Sequence, residues 1–219
     1  MKLDHFVVFK GTIECVSGLH IGGSVEGIEI GGVDNPVIKH PVTQEPFVPG
    51  SSLKGKIRSS LEKKLDKVSP NGEPCSCGQC LICRVFGAHK NTNQTQGPTR
   101  ILVRDAALAE ETRKLAGDLL KERGQVYIEQ KTENIIDRNK GNAQHPRTME
   151  RVPSGARFDL EIVLQVFDID KDLEPEMIAL LREGLRLVQE TYLGGYGSRG
   201  SGQVRFTALT MNCAPFSLA

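Results

Sequence analysis

The chain has 219 residues, which is long enough for one large domain or two small ones with a buried core. Hydrophobic residues make up 38% and charged residues 25%, as in an ordinary globular protein, and the net charge of +1 excludes a surface that is basic all over. No apolar run approaches the roughly 18 residues of a membrane helix, and the opening MKLDHFVVFKG is too polar for a signal peptide. We therefore expect a cytoplasmic protein without a membrane partner.

The first part of the chain alternates between apolar and polar residues. From Val7 to Ile21 the odd positions are mostly apolar and the even positions mostly polar, which predicts a long half-buried strand. His20 falls on the polar face of this predicted strand. There it either contacts a ligand or is a solvated histidine at the end of the strand.

A glycine-rich segment follows, and it contains the hexapeptide GGVDNP at residues 31–36. Gly, Asp, Asn and Pro all form turns, so on these six residues alone a turn is the favoured interpretation of Asp34. The alternative is that its carboxylate does chemistry. The hexapeptide by itself leaves both interpretations open.

The next stretch, PGSSLKGKIR, opens a predicted amphipathic helix. Apolar residues repeat every four positions at Leu53, Ile57, Leu61 and Leu65. One of two serines is the predicted N-cap, and the N-terminus of a helix attracts phosphate through its free N–H groups. The candidate phosphate contacts are Ser51, Ser52, Lys54 and Arg58. Helix capping and a solvated basic face explain the same residues equally well.

Four of the six cysteines lie within the segment CSCGQCLIC. In a cytosolic chain, such clustering indicates a metal site rather than disulfides. Four thiolates can surround one tetrahedral Zn²⁺ and leave no position open for water, so we predict a structural zinc site. Its ligands are Cys75, Cys77, Cys80 and Cys83. An iron–sulfur cluster is the competing interpretation, and His89 is a candidate to replace one cysteine.

A glycine-rich loop, LGGYGSRGSGQV, precedes the last predicted strand. The string GYGSRG matches G-x-G-x-x-G, but it follows a helix and opens a strand, whereas a dinucleotide site follows a strand and opens a helix. We therefore reject a dinucleotide site. Backbone N–H groups of such a loop approach a polyanion closely, and Ser198 and Arg199 add phosphate donors.

A long polar hairpin or loop occupies residues 124–156. Its cationic candidates for nucleic-acid binding are Lys131, Arg138, Arg147 and Arg151. Apolar residues beside them, Ile135, Ile136 and Met149, have the character of wedges that part stacked bases. Taken alone, the segment is better explained as a solvated loop. Together with the helix N-terminus and the glycine-rich loop, which are two candidate anion-binding sites, it fits an extended phosphate backbone.

The order of predicted elements is strand, helix, strand, large hairpin, strand, helix, strand. This order resembles the β-α-β-β-α-β ferredoxin-like arrangement, so the expected fold class is α+β. We expect one domain over residues 1–219 with three insertions: an active-site loop region at 22–50, a zinc-binding insert at 68–99 and the hairpin at 124–156.

Five stretches together resemble one family, the backbone subunits of the type III-A CRISPR effectors, called Csm complexes. This family belongs to the repeat-associated mysterious protein (RAMP) superfamily. The matching strings are GGVDNP, PGSSLKGKIR, CRVFG, KTENIIDR with RTMERVPSGARF, and GGYGSRGSGQV. They span nearly the whole chain in the order of the family.

The resemblance implies an RNA-recognition-motif-like core, with copies of the chain forming a filament along a CRISPR RNA beside other type III-A subunits. The hairpin would be the thumb of the family, which kinks the duplex of guide and single-stranded target RNA. The resemblance also implies endonuclease cleavage of target RNA beside each kink, by Asp34 with Mg²⁺ or Mn²⁺. His20, on the polar face of the first predicted strand, is a further candidate for RNA binding.

Two alternatives remain at this point. One is an RNA-binding scaffold in which Asp34 only shapes its loop. The other is a RAMP-type nuclease that processes precursor CRISPR RNA, for which His20 is the nearest acid–base candidate.

Overall fold

The computed structural model describes residues 1–23, 35–123 and 127–218. The strands in these ranges are β1 (Leu3–Cys15), β2 (Ile101–Val103), β3 (Glu129–Ile136), β4 (Ala143–Arg151), β5 (Arg157–Phe167), β6 (Val204–Met211) and β7 (Ala214–Pro215). The α-helices are α1 (Gly50–Lys64), α2 (Leu81–Phe86), α3 (Glu110–Arg123) and α4 (Glu174–Glu190). Short 3-10 turns cover Asp168–Leu173 and Gly197–Arg199.

Five strands form one antiparallel sheet in the order β2-β5-β1-β6-β7. Helix α1 connects β1 to β2, and α4 connects β5 to β6. The neighbouring strands β2, β5, β1 and β6 therefore have the order of a ferredoxin-like fold. The expected α+β class with a ferredoxin-like core is confirmed. Strands β3 and β4 form a separate two-stranded sheet, the thumb hairpin, inserted between β2 and β5.

The core lies between this sheet and helices α1 and α4. Val7, Phe9, Ile13 and Cys15 of β1 and the even residues of β5 are buried, as their alternation predicts, and Phe9 pairs with Ile162 in the register. Leu53, Ile57 and Leu61 of α1 are fully buried in the same core. Burial of apolar surface contributes about 25 cal/mol per Å² removed from water, so these contacts stabilise the packing of the helices on the sheet.

The first strand is shorter than its alternation predicts, because β1 ends at Cys15 rather than at Ile21. Beyond it the chain turns toward the thumb hairpin, where Leu19 exchanges two backbone hydrogen bonds with Val152, of 2.9 and 2.8 Å. A Cβ on Gly18 would lie 2.6 Å from Nε of Arg151 and from Oε1 of Glu129, so a larger residue would displace these two side chains.

The predicted serine cap of helix α1 is wrong. The N-cap is Pro49, with no side-chain cap bond, and the first helical N–H, that of Gly50, donates to Oδ1 of Asp105 at 2.7 Å. Leu65, predicted as part of the apolar stripe, follows the end of the helix and is exposed.

Two buried ionic side chains join the cysteine segment to the core. Asp170 and Arg100 are both fully buried, and the guanidinium binds the carboxylate through Nε at 2.7 Å and Nη2 at 3.2 Å. Arg84 of α2 donates to the same carboxylate at 2.6 Å. Burial raises the pKa of Asp170, but the hydrogen bonds from the two arginines outweigh it and hold the pKa below its usual value.

None of the helices within the described ranges has the length and apolar character that crossing a bilayer requires.

Candidate nucleic-acid interface

The base of the thumb hairpin contacts the glycine-rich loop through one carboxylate. Glu133 of β3 binds the ammonium of Lys131 through Oε1 at 2.8 Å and Nη1 of Arg199 through Oε2 at 2.8 Å. The Lys131 ammonium also donates to the backbone carbonyl of Arg199 at 3.3 Å. The hydrogen bond from Lys131 is the main cause that lowers the pKa of Glu133, so the carboxylate is ionised at neutral pH. The structure therefore brings together two of the predicted phosphate ligands.

A second ionic contact lies lower on the hairpin. Arg151 of β4 donates from Nη2 to the carboxylate of Glu129 at 2.6 Å and from Nη1 to Oγ of Ser201 at 3.3 Å. Its Nε is buried and has no hydrogen-bond partner within the described part of the chain. Glu129, Lys131 and Glu133 share one face of β3, since their positions differ by two.

Tyr196 is the centre of a stack in the glycine-rich loop. Its φ of +60° is left-handed, a strained conformation for a bulky residue that the surrounding packing must maintain. The centroid of its ring lies 4.9 Å from that of His20, and the Arg199 guanidinium carbon lies 4.4 Å from the Tyr196 centroid. The stack fixes the direction of Arg199.

His20 does not lie on the polar face of a strand, and the solvated alternative is wrong, because the residue is only 6% exposed. Its Nδ1 lies 2.7 Å from the carbonyl oxygen of Glu150, and an acceptor at that distance requires that Nδ1 carries the proton. The ring therefore supports Tyr196 and leaves only Nε2 for any contact with a ligand.

Helix α1 and the glycine-rich loop are contiguous. The ammonium of Lys56 lies 3.5 Å from the centroid of the Tyr192 ring. The same ring covers Gly197, where a Cβ would lie 2.0 Å from Cγ of Tyr192. The two anion-binding segments predicted from the sequence are therefore neighbours across one tyrosine.

The N-terminal turn of α1 carries three of the predicted phosphate contacts. Ser51 is exposed, Ser52 and Lys54 are half-buried, and within the described residues the Lys54 ammonium has no acidic or hydrogen-bonding partner. Burial, and then the charge of Arg58, lowers the pKa of Lys54. An ammonium held so close to a helix N-terminus without a counterion is suited to an anion.

Arg58 faces the other way, toward the cysteine segment. Its Nε donates to Oε1 of Glu62 at 2.7 Å, and its Nη2 donates to the carbonyl of Cys75 at 2.8 Å. The same Glu62 oxygen accepts the N–H of Cys75 at 2.9 Å. Arg58 therefore attaches the cysteine segment to α1, and it is not among the proposed RNA contacts.

Asp34 lies outside the described residues, but the residues that follow it are held by the thumb hairpin. The N–H of Glu150 donates to the carbonyl of Asn35 at 3.0 Å. The Glu150 carboxylate accepts the N–H of Val37 at 3.0 Å and pairs with Lys39 at 3.1 Å. The end of β4 thus holds the chain directly after GGVDNP.

The far half of the thumb hairpin is exposed. Ile135 and Ile136 are among the exposed large apolar side chains, and Arg138 and Arg147 are exposed beside them. Ser198 is also exposed, in the 3-10 turn of the glycine-rich loop. These residues are open to a ligand, but they do not belong to the contacts at the base of the hairpin.

The four predicted cysteine ligands form one cluster. Their sulfur atoms all lie within 4.8 Å of one another, with 3.9 Å between Cys75 and Cys80 and 3.8 Å between Cys77 and Cys83. A tetrahedron with metal–sulfur bonds of about 2.3 Å has edges of about 3.8 Å, so the sulfur positions fit a zinc ion. His89, described like the cysteines, is not part of this group.

Backbone N–H groups support the thiolate form of Cys77, which is the form that a metal requires, whereas burial raises the pKa of Cys80 and of Cys83. The N–H of Cys80 points to Sγ of Cys77 at 3.4 Å, and the N–H of Cys83 to Sγ of Cys80 at 3.4 Å. Burial raises the pKa of Cys77, yet the N–H groups of Gln79 and Cys80 outweigh it and bring the value to about 6.

We expect the purified chain to carry about one zinc ion, which Cys77→Ser loses together with thermal stability. Elemental mass spectrometry and thermal melts with and without a chelator measure both effects. Cys213→Ser is the matched control, because Cys213 is an exposed cysteine outside the cluster. Iron with visible absorption would instead support the iron–sulfur alternative.

Five functional candidates were not identified from the sequence: Glu129, Glu133, Glu150, Tyr192 and Tyr196. The alternation of Glu129, Lys131 and Glu133 was the available signal, since period 2 places all three side chains on one face of a strand. The tyrosines offered no signal beyond their position next to glycines.

Comparisons with known proteins agree with these findings. Residues 12–205 match the RAMP superfamily. A protein of Methanothermobacter thermautotrophicus named CRISPR system Cms endoribonuclease Csm3 is 43% identical over 228 residues, covering 98% of this chain and 89% of its own. A protein of the same name from Methanocaldococcus jannaschii is 43% identical over 221 residues, covering 98% and 84%. A chain in the crystal structure of a Csm3-Csm4 subcomplex in the type III-A CRISPR-Cas interference complex has a TM-score of 0.61 and 30% identity, covering 96% and 80%.

Proposed function

The chain belongs to the RAMP superfamily and, within it, to the Csm3 endoribonucleases of CRISPR systems, and we propose that it binds CRISPR RNA and cleaves the target RNA paired with that guide. Copies of the chain form a filament along the guide in the cytoplasm, beside the other subunits of a type III-A effector. The proposed chemistry is metal-dependent cleavage within the assembled complex.

One observation carries this proposal. The chain that follows Asp34 is bonded to the end of β4, while β3 of the same hairpin contacts the glycine-rich loop. A single hairpin thus contacts both the chain directly after the candidate catalytic carboxylate and the cations suited to a phosphate backbone. A nuclease needs these two features side by side, because the scissile phosphate must lie near the group that activates its attacker.

We assign the chemistry to Asp34. Its carboxylate helps to remove the proton of a 2′-hydroxyl, whose oxygen then attacks the adjacent phosphorus as the 5′-oxygen leaves. A divalent cation, Mg²⁺ or Mn²⁺, supplies charge neutralisation at the phosphate when it is bound. The exposed thumb residues Ile135 and Ile136 supply the wedge that opens the duplex at the cleavage point.

The phosphate backbone is held by four groups of residues: the N-terminal turn of α1 with Ser51, Ser52 and Lys54, the loop with Ser198 and Arg199, Lys131 and Arg151 at the hairpin base, and Arg138 and Arg147 farther along it. His20 acts through Tyr196. Because these contacts go to phosphate rather than to base edges, guide pairing and not the protein selects the sequence.

Affinity for CRISPR RNA should be largely independent of its sequence and should fall steeply with salt. Each neutralised phosphate of a single strand contributes about −0.7 to the slope of log K against log salt. Fluorescence anisotropy over a KCl series, with two unrelated guide sequences, measures this slope. A flat response would contradict the phosphate-binding surface.

The test of the whole function is a target-RNA cleavage assay with the assembled complex, with and without Mg²⁺. Fragments at regular intervals that require the cation support the proposal. Guide and target binding without cleavage under any divalent cation would favour the scaffold alternative. The processing alternative requires cleavage of precursor CRISPR RNA, and the burial of His20 and the bond from its Nδ1 disfavour it.

A further inference from the structure

We propose that Glu133 occupies the place of an RNA phosphate, and that it competes with the guide for Lys131 and Arg199. The inference rests on the proposed function, since it concerns the regulation of the same RNA-binding surface. The affinity of this surface for RNA then depends on the competition between the Glu133 carboxylate and an RNA phosphate.

The geometry is that of a bound anion. Two cations from different elements, Lys131 of β3 and Arg199 of the glycine-rich loop, each contact a different oxygen of one carboxylate, both at 2.8 Å. A phosphodiester likewise presents two anionic oxygens on one centre, and both cations form strong charge-assisted hydrogen bonds with either group. The Glu133 side chain is only 17% exposed, whereas Arg199 is 49% exposed, so a phosphate can reach the cation from solvent.

Neither cation needs Glu133 to hold its place. The Arg199 guanidinium stacks on Tyr196, and the backbone N–H of Arg199 donates to the Tyr196 carbonyl at 2.9 Å. The Lys131 ammonium keeps a separate bond to the Arg199 carbonyl at 3.3 Å. A carboxylate that is not required for position but neutralises both cations lowers their attraction for phosphate.

The test compares RNA binding by the full-length chain and by Glu133→Gln, which keeps the shape of the side chain and removes its charge. The probe is a fluorescein-labelled uridine homopolymer, titrated by anisotropy over a KCl series. We expect Glu133→Gln to bind about tenfold more tightly at low salt. Its salt slope should steepen by about 0.7 for each cation released to the RNA. Glu133→Ala should change both quantities in the same direction, and circular dichroism checks that each variant is folded.

The matched control is Glu183→Gln. Glu183 also holds a lysine and an arginine, Lys64 and Arg186, but it lies on α4 against the C-terminal end of α1, away from the proposed surface. Its variant makes the same change in net charge and should leave the RNA slope unchanged.

Three results would overturn the inference. Weaker or unchanged binding by both Glu133 variants would show that the carboxylate is only structural. An equal gain in Glu183→Gln would show that net charge alone is responsible. If the wild-type chain failed to bind RNA at low salt, the proposed function would fail as well, whereas wild-type binding with unchanged variants would leave that function standing.

Discussion

We expect Asp34→Asn to lower target-RNA cleavage by the assembled complex at least about 100-fold and to leave guide and target binding unchanged. A positioned proton acceptor contributes about 10²- to 10⁴-fold to rate, and an amide cannot take the proton. Cleavage is measured as single-turnover rates with saturating Mg²⁺, and binding is measured in parallel by anisotropy. If raising the Mg²⁺ concentration partly restored Asp34→Asn, the carboxylate would be a metal ligand rather than the base.

Glu29→Gln is the control for this experiment, because Glu29 is another carboxylate of the same glycine-rich segment. It should cleave at the wild-type rate. Equal cleavage by Asp34→Asn and the wild type would mean that Asp34 only forms a turn. Failure of the variant to assemble would point to an architectural role for the loop, and Asp34→Glu then tests whether any carboxylate restores assembly.

Asp170→Asn should destabilise the chain by about 3–5 kcal/mol, because it leaves the buried Arg100 guanidinium without its counterion. Urea unfolding followed by circular dichroism measures the loss as a lower midpoint. Asp168→Asn is the control, since this nearby carboxylate is at the surface and, within the described residues, accepts the N–H groups of Lys2 and Ile169. Its change should be small, and a similar loss in both variants would contradict the assigned role of Asp170.

The lowered pKa of Asp170 predicts that the stability of the chain depends on pH. The pKa of Asp170 is lower in the folded chain than in the unfolded chain, so its contribution is fully present above the unfolded value of about 3.9. It is lost as pH falls below that value and through the folded pKa. The difference in stability between wild type and Asp170→Asn should therefore be constant near neutral pH and should narrow in acid.

Local patterns predicted most of the fold. The alternation in β1 and β5 and the four-residue repeat in α1 arise from the geometry of a single element, so the sequence carries them directly. Likewise, four cysteines within nine residues are close enough along the chain that their sulfur atoms are expected to lie together. The five family motifs were sufficient to identify the family, which the comparisons confirmed.

The errors concern contacts between residues far apart in the chain. Arg58 has the position of a basic residue near a helix start, but besides Glu62, four positions on, it binds the carbonyl of Cys75, 17 positions later. The buried pair of Arg100 and Asp170 joins positions 70 apart. No local pattern distinguishes such an arginine from a solvated one, because its role depends on which carboxylate or carbonyl the fold brings to it.

The interface was predicted in part. Lys131 and Arg199 were identified as cations for phosphate, and the structure places them on one carboxylate that sequence reasoning overlooked. His20 was identified from a strand that ends before reaching it, so its burial could not be foreseen. The role of Asp34 stays a prediction, and the structure adds that the residues after it are bound to β4.

The cap of helix α1 bears on how the chain is made. The acceptor for the first helical N–H belongs to Asp105, which is 55 positions later in the chain. During synthesis at about 5–20 residues per second, the ribosome must therefore pass β2 before the start of this helix has its native partner. The start of α1, where we propose phosphate contacts, therefore acquires this bond only after Asp105, and with it the whole cysteine segment, has been synthesised.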